Sequence, residues 1–213
     1  MAAASERWGL KTSRGSERAI ATITQTDNGV ATGAIITPAR TPIITPARRP
    51  AQTAAVRYVA AAVRIALGFV FLWAFVDKVF GFGFATPEKA AWINGGSPTK
   101  GFLANGATGP FTDFYHSIAG TTWANWLFMV GLAGIGVALI AGIGLRIAAV
   151  AGSVLLVMMW SVVLPPENNP FMDDHLIYAG TLILLALLSA GDTLGLGRLW
   201  ARTALVARAP WLK

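Results

Sequence analysis

The 213-residue chain contains no cysteine. That excludes disulfides, thiolate metal sites, cysteine-ligated iron–sulfur clusters and covalently attached c-type haem. Histidine is nearly as scarce, with His116 and His175 alone. Neither lies within an apolar run, so no bis-histidine haem is expected, and no resident metal. Charge is also sparse, at 13% of residues against 54% hydrophobic ones. Soluble domains carry about 25% charged residues. With a mean hydropathy of +0.57, this composition predicts an integral membrane protein.

The net charge of +7 could suggest nucleic acid, but its distribution excludes that reading. Residues 1–57 hold eight Lys/Arg against three acids, and the chain after Gly195 holds Arg198, Arg202, Arg208 and Lys213 with no acid. Basic residues flanking apolar runs are the mark of a membrane protein held against anionic lipid. Residues 1–54 are rich in Ala, Thr, Ser, Arg and Pro and repeat IITPAR at 35–40 and 43–48. Prolines break helices and this content cannot build a core, so a disordered basic tail is expected, without the continuous apolar stretch of a signal peptide.

Four runs reach the ~20 apolar residues that a bilayer crossing needs. They cover about 58–80, 123–141, 146–164 and 176–193. The expected fold is all-α: a transmembrane four-helix bundle over 55–205 with a long helical outer loop between helices 1 and 2. Residues 206–213 form a short basic tail. Only Gly142 to Leu145 separate the second and third runs, which makes them a tight hairpin. The basic tails and Arg146 share one side, while the loop at 165–175 carries Glu167, Asp173 and Asp174 and no Lys or Arg. The positive side stays inside, so a multi-pass cell-membrane protein with both termini cytoplasmic is expected. In the loop at 81–122, Thr86-Pro87 reads as a helix start, Gly95-Gly96 as its stop, and 110–119 as a second short helix with Phe111, Phe114, Tyr115 and Ile118 on one side. Gly134, Ala138 and Gly142 form a small-residue stripe for close helix packing, with Ala148, Ala149, Gly152 and Ser153 as its counterpart.

Charges inside spans are costly, and are either paired or functional. Arg64 lies some six residues into its run, ~9 Å deep at 1.5 Å per residue. Asp192 reaches a similar depth from the other direction, so the two are expected to form a structural ion pair. Adjacent Asp77 and Lys78 point apart and need separate partners. Lys78 could meet Asp173, Asp174 and His175 at the start of the fourth helix. That cluster reads either as a helix cap with a salt bridge or as an outward polar pocket with a proton-handling histidine. The loop GGSPTKGFL (95–103) offers amides with Ser97, Thr99 and Lys100, a set that either shapes a turn or cradles an oxyanion. It lacks the spacing of a Walker A loop.

The stretches GFVFLWAFVDKVFGFG (68–83), AWINGGSPTKGFL (91–103), PPENNPFMDDHLIYA (165–179) and GLGRLWAR (195–202) resemble the DoxX/DoxD membrane family. The likeness covers about residues 57–205. Arg64 and Lys78 resemble the family's usual first span, and the loop at 92–102 is similar to the DoxD branch, the large subunit of thiosulfate:quinone oxidoreductase. This resemblance implies a membrane redox subunit that oxidises thiosulfate to tetrathionate and passes electrons to quinone, in a two-subunit assembly. It assigns no individual catalytic residue. Joined to the reading above, it makes His175, Asp173, Asp174 and Lys78 the candidate outer catalytic pocket. Lys100, Thr99 and Ser97 become the contacts for a small sulfur oxyanion, and Trp73, Phe80 and Trp92 the quinone contacts. The expected partners are lipid and either a small subunit or further copies of the chain. The alternative is a non-catalytic accessory or assembly subunit of a respiratory or oxidative-stress membrane complex.

Overall fold

The computed structural model describes residues 53–213. The expected disordered tail and its repeat lie outside the described residues. Everything described is helical or irregular, with no strand among the described residues. Three helices are long and apolar enough to cross a membrane: α1 (Ala54–Phe80), α4 (Thr122–Ala141) and α5 (Leu145–Val162). Between α1 and α4 lie two short helices, α2 (Lys100–Asn105) and α3 (Thr112–Ile118). After α5 come α6 (Asp174–Leu187), α7 (Gly197–Trp200) and α8 (Ala204–Arg208).

The first helix starts four residues earlier than hydropathy indicates, because Thr53 caps it by accepting from the Val56 amide. At 27 residues it measures ~40 Å, more than the ~30 Å hydrocarbon layer. It runs antiparallel to α4, with Arg64 beside Leu139 and Ile140 and Lys78 over the Phe128 ring. Its first turns therefore extend beyond the α4–α5 turn. The backbones approach most closely at Gly68 and Gly136. A Cβ on Gly136 would sit 2.8 Å from the Leu72 amide nitrogen, and one on Gly68 2.9 Å from the Leu139 Cβ. Gly134, by contrast, has open space where a side chain would go, so the expected stripe through Gly134 is not the contact. On α5 the expected small residues do pack. Gly152 receives Leu182 of α6, Ala148 and Ala149 are buried, and the Ser153 hydroxyl donates to the Ala179 carbonyl at 3.3 Å. Leu67, Met129, Leu132, Leu156 and Leu182 form the core between these helices.

The fourth apolar run departs from expectation. Its α-helix stops at Leu187 after 14 residues, ~21 Å. Ser189 adopts a left-handed conformation at φ 50°, and a 3-10 turn follows at Ala190–Asp192. The break brings Gly191 against Gly142, the left-handed C-cap of α4, where no Cβ could be accommodated. It also turns the Thr193 and Leu194 carbonyls toward Arg64. The loop helix expected from Thr86 to Gly95 is two 3-10 turns, Glu88–Ala90 and Trp92–Asn94, whereas Lys100–Asn105 is helical where only a loop was expected. The last residues fold back. Val206 is buried, the Trp200 indole donates to the Leu212 carbonyl at 2.9 Å, and Arg146 donates to the Pro210 carbonyl at 3.2 Å.

Arg64 does not pair with Asp192. Its fully buried guanidinium donates to four backbone carbonyls: Leu139, Ile140 (2.9 Å), Thr193 (3.3 Å) and Leu194 (2.7 Å). The last carbonyls of α4 run short of donors: Leu139 has the Gly142 cap amide at 3.2 Å, Ala141 takes the Leu196 amide at 2.8 Å, and Ile140 has no backbone donor among the described residues. Nor can water supply one inside apolar surroundings, so a fork of donors satisfies them and meets the helix's negative end. Asp192 instead takes the Lys213 ammonium at 3.3 Å. Hydrogen bonds to charged groups contribute ~1.5–3 kcal/mol, so Arg64→Met should cost at least ~3 kcal/mol of stability. Asp192→Asn should cost under ~1 kcal/mol, as at a partly exposed ion pair. The two losses should add in unfolding of the detergent-solubilised protein. A coupling energy above ~1 kcal/mol would restore the direct pair.

Candidate functional site

At the end of the molecule opposite the α4–α5 turn, α2 and α3 roof a cavity of about 210 Å³ over α4 and α5. The roof is pinned by bonds to the end of α5. Thr108 bonds through its amide to the Val162 carbonyl and through its hydroxyl to Leu164, both at 3.2 Å. Tyr115 is buried, with its hydroxyl between the Met158 carbonyl and the Ser161 hydroxyl. The walls are apolar and aromatic, with Phe102, Phe114, Trp123 and Phe128 among them. One lining residue carries a charge, Lys78. Its ammonium lies 5.9 Å from the Phe128 ring centroid, a cation–π contact. Among the described residues no carboxylate lies within ion-pair distance of it.

Asp77, one residue before, turns away into the protein. It is 1% exposed, and one carboxylate oxygen accepts from the Ala85 amide at 3.1 Å. Its other oxygen is buried without a hydrogen-bond partner. Asp77 thus fixes the turn after α1, where Gly81 caps the helix in a left-handed conformation.

The pocket expected from Lys78 with Asp173, Asp174 and His175 does not form, because Lys78 faces α4 and the cavity. The other three residues do come together. The His175 Nδ1 lies 2.6 Å from one Asp173 oxygen and 3.5 Å from Asp174. The second Asp173 oxygen accepts from the Leu176 amide at 3.3 Å, capping α6. The three offer ligand atoms within 4.8 Å of one another. The cap and the imidazole contact already account for Asp173.

The polar groups at 97–99 are spent internally. The Ser97 hydroxyl (3.0 Å), the Thr99 amide (3.1 Å) and the Thr99 hydroxyl (2.7 Å) all donate to the Asn125 side-chain oxygen. The Asn125 amide group donates back to the Gly120 carbonyl at 3.3 Å. This ties the 95–100 segment to the start of α4 and spends both hydroxyls and the Thr99 amide within the protein. Lys100 is exposed.

The aromatic residues separate into two groups. Trp73 stacks with Phe69 and Phe82, and Phe82 in turn stacks with Phe80, giving an exposed aromatic face. Trp92 packs edge-on against Trp126, 4.8 Å away, beside a shallow groove along α4. Sequence reasoning picked out Lys78 and the apolar side of α3. It did not single out Phe102, Trp123 or Phe128 as cavity walls or Asn125 as the anchor.

The chain matches no protein-family model, and comparisons with curated proteins and with solved structures return no match.

Asn125→Leu removes the acceptor shared by three donors. Each orphaned buried donor costs ~1–3 kcal/mol. The expected result is faster amide exchange at 97–100 and at least ~2 kcal/mol lost stability, with α4–α6 protection retained. Unchanged exchange at Thr99 would refute the anchoring role.

Proposed function

We propose that the protein is a four-span membrane subunit of a quinone-linked redox system, with α6 and its 3-10 extension as the fourth crossing and both termini cytoplasmic. The observation that carries this reading is the Lys78 cavity. A quinone headgroup is a flat, largely apolar ring with two carbonyl acceptors. The aromatic walls suit the ring, and Lys78 has unspent N–H donors for one carbonyl. Ligand pockets usually enclose ~300–1,000 Å³. A cavity of about 210 Å³ therefore suits a headgroup, leaving the apolar tail to lipid. Ionisable residues at membrane depth are functional by default, and a lysine with no carboxylate within ion-pair distance among the described residues fits that rule.

The electron donor is thiosulfate, as the DoxX/DoxD resemblance implies. Two thiosulfate ions join by an S–S bond to give tetrathionate and release two electrons. Quinone supplies the acceptor chemistry, taking those electrons with two protons. Lys78 orients the carbonyl and holds positive charge beside it. Lys100, exposed in the same loop as Lys89, meets an incoming anion on the same side.

A second reading is favoured by one observation. Ser97 and Thr99 spend their hydroxyls on Asn125, so those groups are taken from the oxyanion cradle, and an accessory subunit that binds quinone without turning over thiosulfate would need none.

Quinone binding is read from tryptophan quenching by a short-chain quinone in the reconstituted full chain, since Trp123 lines the cavity. Saturable quenching is expected, weakened at least ~tenfold by Lys78→Met, the loss of one charged hydrogen bond. Phe80→Leu, on the separate aromatic face, should leave it unchanged. Equal binding by Lys78→Met sinks the site. Binding without thiosulfate-driven reduction when the partner subunit is present selects the accessory reading.

The topology is tested with cysteines introduced at Ser97 and Asn168, which should react with an impermeant thiol reagent in intact cells. Labelling of a cysteine at Ser13 instead reverses the orientation.

A further inference from the structure

At the turn end, far from the Lys78 cavity, α5 and α6 leave a groove between them of about 570 Å³. Ala149 and Ser153 form its floor, while Val150 (68% exposed) and Leu187 (74% exposed) stand up as rims. The groove exists because small residues face each other there and α6 ends early at Leu187. Arg146 and Ser189 close one end. The same two residues, with Asp192, Trp200 and Lys213, line a small adjoining depression. An apolar trough thus runs into a polar cup.

Arg146 sits in the first turn of α5, at the positive end of the helix dipole. A cation is disfavoured there unless an anion joins it. Its guanidinium has five N–H donors. One hydrogen bond is spent on the Pro210 carbonyl at 3.2 Å, and no carboxylate lies within ion-pair distance among the described residues. The charge of Asp192 in the cup is already met by Lys213 at 3.3 Å. Arg198, Arg202 and Arg208 are exposed in the segment that follows.

We propose that this groove binds one anionic phospholipid, with its phosphate on Arg146 and one acyl chain laid between α5 and α6. Guanidinium groups take phosphate through paired hydrogen bonds. The phosphate would also complement the unpaired amides of the first turn of α5. The remaining arginines attract the anionic leaflet in general, and Arg146 selects one molecule from it.

The test is native mass spectrometry of the full chain in detergent with equal phosphatidylglycerol and phosphatidylcholine of matched chains. One phosphatidylglycerol should stay bound with about fivefold preference, the effect of one basic residue near a lipid surface. Arg146→Gln should bring the ratio near parity, while Arg198→Gln leaves it unchanged. Ser153→Phe, which fills the floor, should release both lipids. Equal retention by the wild type, or an Arg198→Gln effect as large as that of Arg146→Gln, overturns the site in favour of diffuse charge. Photoreactive phosphatidylglycerol on the wild type decides the matter independently of variant folding. Adducts should concentrate on Val150, Val154 and Leu187, and adducts spread evenly to Phe69 and Val130 overturn the proposal.

Discussion

Arg64 determines how the helices can end. In apolar surroundings every backbone carbonyl needs a donor from the protein itself, and the last turn of α4 has too few. One terminal guanidinium nitrogen serves Leu139 and Ile140, and the other serves Thr193 and Leu194. Three chain segments are joined by one planar fork, a geometry that a lysine ammonium cannot reproduce. The demand propagates along the chain. The Thr193 and Leu194 carbonyls reach Arg64 only if α6 stops short. The turn that stops it must press on Gly142, so both Gly142 and Gly191 must lack side chains. The shortened α6 then leaves the trough above Leu187 uncovered.

Residue size along α4 sets the opposite end. Its second half carries Gly136, where α1 comes into backbone contact at Leu72. Its first half carries Trp123, Trp126, Leu127, Phe128 and Met129. Large side chains hold neighbouring segments off, and the space is closed by α2 and α3 rather than by another long helix. Close packing at one end and a roofed cavity at the other are two consequences of one size gradient. The Asn125 bonds and the Tyr115 contacts keep the roof in register with the helices beneath it.

Hydropathy made the long helices legible, because a run of ~20 apolar residues has few alternatives to a spanning helix. α4 and α5 begin and end within two residues of where the apolar runs do. The same signal failed for α6, since Ser189, Ala190 and Gly191 are apolar or small enough to read as helix while the backbone turns. The 81–121 segment was half legible. Gly95 and Gly120 stop local helices through positive φ, as glycines there suggest, but no local signal reveals that Asn125 collects the hydrogen bonds of Ser97 and Thr99. Opposite charge and shared depth point from Arg64 to Asp192 in the sequence. Backbone carbonyls carry no letter in the sequence, so the true partners could not be read from it.

The distinction between a structural and a functional cation follows from how its donors are used. Arg64 and Lys78 lie in one helix, and both are charges in an apolar span. Arg64 uses both terminal nitrogens on carbonyls, and of its donors only Nε is left without a partner. Nothing in that arrangement can engage a ligand without unfastening the fold. Lys78 is stabilised by the face of Phe128 and by no hydrogen bond among the described residues. Its ammonium can therefore change partners at no cost to the helices, which a binding residue requires. Arg146 meets the same criterion at the other end, with one carbonyl bond and donors to spare. Two cations with unspent donors, each at the polar end of an apolar depression, are therefore the places proposed to hold amphiphilic molecules.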